Sequence, residues 1–62
     1  MYIKIFYKEQ NNSIKSLRAV DYNNKNLNLN LSNIIGSPVS EGTKRIITSQ
    51  NKGYFVTSWV RE

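Results

Sequence analysis

Sixty-two residues with nine Lys and Arg against four Asp and Glu carry a formal charge of +5, with neither Cys nor His anywhere in the chain. That composition excludes disulfides, thiolate zinc sites, cysteine and Ser-His nucleophiles, and imidazole acid-base chemistry. It leaves one small basic domain, residues 1–62, with little chain to bury and none of the usual covalent staples, so its core is expected to be thin and self-association is an open alternative.

The N-terminal run Met1-Tyr2-Ile3-Lys4-Ile5-Phe6-Tyr7-Lys8 is broken by lysines and does not read as a signal peptide. No stretch approaches the length of a membrane span. A soluble, cytoplasmic protein is the expectation. Tyr2 to Lys8 alternates with the period of a strand, Ile3, Ile5 and Tyr7 on one side and Tyr2, Lys4, Phe6 and Lys8 on the other. Glu9 to Ser13 has the composition of a turn, and Ile14 to Tyr22 is expected to be a second strand completing a hairpin. Neither period wins cleanly there: Ile14, Val20 and Tyr22 share a face with Ser16 and Arg18, Leu17 and Ala19 lie opposite, and Ser13 could cap a short helix instead.

Asn23 to Asn26 reads as a loop, and the alternation Leu27-Asn28-Leu29-Asn30-Leu31 as a short strand. Ser32 to Gly36 suits one helical turn, and Ser37 to Thr43, with the only Pro, a surface loop. Lys44 to Val60 holds two runs of β-branched and aromatic residues around Asn51-Lys52-Gly53, and is expected to be an antiparallel hairpin with Gly53 at positive φ. In that register Gln50 opposes Tyr54, Thr48 opposes Val56, Ile46 opposes Ser58 and Lys44 opposes Val60. One face then holds Arg45, Phe55 and Trp59, with Arg45 across from Trp59, close enough for a cation-π contact. The fold class that follows is mainly β: an antiparallel meander of four to five short strands, a compact sheet or small open barrel, with room for one short helical turn.

For function, the informative pattern is aromatic side chains alternating with cations. Single-strand binders need flat rings on which bases stack and cations that meet phosphates, and Tyr2, Lys4, Phe6 and Lys8 offer both on one strand face. Arg18, Lys44, Arg45 and Trp59 extend the candidate nucleic-acid-binding set. The competing account makes Phe6, Phe55 and Trp59 core residues and the lysines solubilising groups on a sheet edge.

Gly36, Gly42 and Gly53 match no phosphate-binding spacing and read as turn glycines. Glu9, Asp21, Glu41 and Glu62 are dispersed in a chain too small to build a substrate cleft around them, so no enzyme, cofactor or metal site is expected. The expected function is a noncatalytic binding module for nucleic acid, single-stranded by preference. The alternative is a small regulatory protein docking on an acidic partner protein through a sheet edge or apolar face. A membrane is not an expected partner.

Overall fold

The computed structural model describes all 62 residues. In chain order they form β1 (Tyr2–Gln10), β2 (Ser13–Val20), β3 (Asn26–Leu27), a 3-10 turn at Ser32–Ile34, α1 (Glu41–Gln50) and β4 (Phe55–Arg61). The four strands make one sheet in the order β3-β2-β1-β4. β1 pairs antiparallel with β2 and parallel with β4, so the sheet is mixed and the chain is mainly β without being an antiparallel meander.

The first hairpin closes through Asn11 and Asn12, both at positive φ (54° and 63°), the two-residue turn whose twist suits paired strands. Asparagine tolerates that left-handed region better than most residues. The strand ends at Val20, two residues before the expected limit. There the Asp21 carboxylate accepts the amides of Asn23 and Lys25 and turns the chain.

The ambiguous face of β2 is resolved by a bulge. Lys8 pairs with Ser16 but Glu9 pairs with Ile14, so Lys15 is passed over and the alternation changes side. Ile14 thereby joins Leu17 and Ala19 on the side of Ile3 and Ile5. Ile3, Ile5, Ile14, Ala19, Ile34 and Ile47 form the main buried cluster on that side of the sheet, while Val20, also fully buried, stands beside Lys4 on the other.

The expected strand over 27–31 contracts to Asn26–Leu27, yet its alternation still governs burial: Leu27, Leu29 and Leu31 pack on the core while the asparagines face out. Asn51 ties this segment to the end of α1, accepting the Asn30 amide at 3.2 Å and donating to the Asn30 and Ile47 carbonyls at 3.3 and 3.0 Å. The expected helical turn is present as the 3-10 turn at Ser32–Ile34.

The expected C-terminal hairpin is overturned in its first half. Lys44 to Gln50 is helix, and the pairings of Gln50 with Tyr54, Thr48 with Val56, Ile46 with Ser58, Lys44 with Val60 and Arg45 with Trp59 do not form; β4 pairs with β1 instead. Strand propensity in Arg45-Ile46-Ile47-Thr48 is a weak preference that tertiary packing overrides. Ser40 caps the helix by accepting the Thr43 amide at 3.2 Å, and Glu41 places a negative charge in the first turn. Thr43 and Ile47, four residues apart, are the buried face. Gly42 accordingly lies inside the first helical turn and not in a loop. Gly53 does adopt positive φ (89°), as the turn from Asn51 to Tyr54 that feeds β4, closed by the Tyr54 amide on the Asn51 carbonyl at 3.1 Å.

Candidate nucleic-acid interface

α1 and the 3-10 turn cover one side of the sheet, the side that carries Ile3, Ile5 and Tyr7. The opposite side has no helix on it. β1 sends Tyr2, Lys4, Phe6 and Lys8 to this open face by simple alternation. From β2, Arg18 stands directly beside Phe6 and Ser16 beside Lys8. From β4, Phe55 stands beside Tyr2, Ser58 beside Lys4 and Val60 beside Phe6.

Two aromatic platforms result. Tyr2 and Phe55 are 58% and 51% exposed, and their ring centroids lie 6.2 Å apart in a tilted pair. Phe6 is half-buried beneath the Arg18 guanidinium, whose carbon sits 4.4 Å from the ring centroid. That guanidinium is oriented on three bonds: Nε and Nη2 donate to the Glu62 carboxylate at 3.1 and 2.9 Å, and Nη1 donates to Asn26 Oδ1 at 3.1 Å. It therefore presents a fixed, planar outer surface above Phe6. The two platforms are separated by four residues of β1, about 13 Å at strand rise. Lys4 lies between them and Lys8 beyond, and neither takes part in an ion pair.

Three of the residues expected on this face are elsewhere. Lys44 and Arg45 belong to α1, across the sheet; Lys44 pairs with Glu41 at 3.2 Å. Trp59 points to the core side, opposite Ile5 and edge-on to Tyr7 with centroids 5.7 Å apart. The cause is a second bulge. Ile3 pairs with Val56 but Lys4 pairs with Ser58, and Thr57, passed over, donates its hydroxyl to the Ile3 carbonyl at 2.9 Å. Phe55 and Trp59 share a parity in sequence and would share a face on a regular strand. The bulge puts Phe55 out and Trp59 in, leaving the indole Nε1 buried without an acceptor.

Ser58 and Val60 are thus face residues that the sequence does not single out, while Phe55, expected on a face with Arg45 and Trp59, is on this one without them. Their signal was the parallel pairing with β1, which strand periodicity alone does not carry. The set Tyr2, Lys4, Phe6, Lys8 and Arg18 does come together on one face. Comparison with protein families, with curated proteins and with solved structures finds no match to this chain. No helix of the structure is long and apolar enough to cross a membrane.

Proposed function

We propose that this chain is a noncatalytic module that binds single-stranded nucleic acid on the open face of its sheet. The carrying observation is the alternation, on a face no helix covers, of two ring platforms with the unpaired cations Lys4 and Lys8. Bases stacked in a duplex strand are about 3.4 Å apart, so platforms about 13 Å apart suit a strand whose bases are splayed out. Tyr2 with Phe55 offers one stacking surface. The Arg18 guanidinium over Phe6 offers the other, since bases stack on arginine planes as on rings. Lys4 and Lys8 meet phosphates between and beyond them.

The carboxylates support a noncatalytic reading, because each is engaged at a different place. Glu9, Glu41 and Glu62 pair with Arg61, Lys44 and Arg18, and Asp21 holds the turn after β2. The same reading puts the protein in the cytoplasm, where single-stranded nucleic acid is met.

Binding of labelled oligo(dT) and oligo(U) across a salt series tests the proposal. Removing both Lys4 and Lys8 as alanine should weaken binding and flatten the dependence of log K on log salt by about 1.4, at about 0.7 per single-strand phosphate contact. Unchanged affinity and slope in that variant, with loss instead on removing Lys15, Lys25 and Lys52, would place the binding surface elsewhere and overturn the assignment. Docking on an acidic partner protein, the other expectation, draws support from a different part of the molecule, the free edge of β4.

A further inference from the structure

β4 is the last strand of the sheet, and one side of it has no neighbour. Exposed edges of this kind are normally blunted by lysine, proline or a covering segment. The opposite margin follows that rule: Gly36 and Ser37 bond to Ile14 of β2, and β3 covers Ala19 and Val20. β4 does not. Between Phe55 and Val60 it holds neither a charge nor a proline, and its bulge is turned inward through the Thr57 hydroxyl. The amide of Glu62 bonds to Tyr7 of β1, so alternation along the parallel ladder turns the amides of Arg61 and Trp59 to the open side.

Beside the start of this edge runs a groove whose second wall is α1. Phe55 and Val56 form its apolar side; Glu41, Lys44, Arg45, Thr48 and Ser49 form its polar side. Lys44 is engaged with Glu41, whereas Arg45 is exposed and in no ion pair. An unpaired strand edge next to a helix-walled groove is the arrangement in which an extended peptide adds as a further strand, its alternate side chains entering the groove. The free cation in the groove, on a chain of net charge +5, selects an acidic one.

We propose that the β4 edge and the α1 groove form a second binding site that takes an extended, acidic peptide segment of a partner protein as a fifth strand. Backbone bonds to the outward amides of Trp59 and Arg61 hold the segment. A carboxylate of the segment meets Arg45. Apolar side chains of the segment rest on Phe55 and Val56. Nothing in this arrangement uses Lys4, Lys8 or Arg18, but Phe55 serves both sites, so the peptide competes for the Tyr2–Phe55 surface while the Arg18–Phe6 platform stays available to nucleic acid.

The probe is a fluorescein-labelled hexapeptide of alternating valine and glutamate, followed by anisotropy and by the amide resonances of the intact protein. It should shift the Trp59 and Arg61 amides. Arg45→Glu, at an exposed position, should weaken binding about tenfold or more. The same peptide N-methylated at alternate residues, or with lysine for glutamate, should not bind, while in a variant without Lys4 and Lys8 the peptide should still shift the Trp59 and Arg61 amides. Amides of Trp59 and Arg61 that stay still at saturating peptide, or shifts confined to Lys4, Phe6 and Lys8, would overturn the proposal. So would movement of those two amides with protein concentration alone, which would make the edge a self-pairing interface between copies of this chain.

Discussion

Phe55 and Trp59 are four residues apart on one strand, and the bulge at Thr57 assigns them opposite tasks, which paired alanine substitutions separate. Fully burying a phenylalanine is worth about 1.5–3 kcal/mol. Phe55 is about half exposed, so Phe55→Ala should cost about 1 kcal/mol in stability. If its ring stacks a base, the same change should cost about 1–3 kcal/mol in binding to a single strand, a factor of about 5 to 150. Trp59 is half-buried between Ile5 and Tyr7, and truncating a buried tryptophan costs about 3–5 kcal/mol. With the exposed part of the ring discounted, Trp59→Ala should cost about 2–4 kcal/mol, against a total stability of about 3–9 kcal/mol for a chain of this length. Urea unfolding must be followed by far-UV circular dichroism, because Trp59 is the only tryptophan and its fluorescence leaves with it. The expected pattern is a large fall in midpoint for Trp59→Ala and a small one, with lost oligonucleotide binding, for Phe55→Ala. Loss of binding in both variants, with a normal midpoint for Trp59→Ala, would show that the two rings share the open face and that the bulge is absent.

Trp59→Phe should be far milder than the alanine change, under about 1.5 kcal/mol in the same urea assay, because it keeps a ring against Tyr7 and discards an Nε1–H that has no acceptor. Ile47→Ala should lower stability by about 2–5 kcal/mol, since Ile47 is wholly buried where α1 meets the core; a midpoint near that of the unmodified protein would argue that 44–50 is not the covering helix. Gly53→Ala should cost about 1 kcal/mol from the left-handed conformation alone, as a Cβ there would meet no neighbouring atom. An unchanged urea midpoint would contradict that turn.

What the sequence determined by itself was local. The period of two along Tyr2 to Lys8 was enough to separate a core side from a face of rings and cations, because successive side chains of a strand point opposite ways whatever lies beside it. The left-handed turn at Gly53 and the short turn near Ser32 were legible for the same reason, since they depend on the chemistry of a few adjacent residues. The tertiary structure decided the rest. Arg45-Ile46-Ile47-Thr48 has the side chains of a strand, and it is a helix because Thr43 and Ile47 complete the core on the covered face of the sheet while Ser40 caps the first turn. β4 then pairs with β1 across the molecule in place of a neighbour in sequence, a long-range contact to which local periodicity is blind. The bulge at Thr57 belongs to that pairing and the bulge at Lys15 to the pairing of β1 with β2, and each reverses the parity of everything beyond it. One brings Ile14 into the core, and the other turns Phe55 out to the open face while holding Trp59 within.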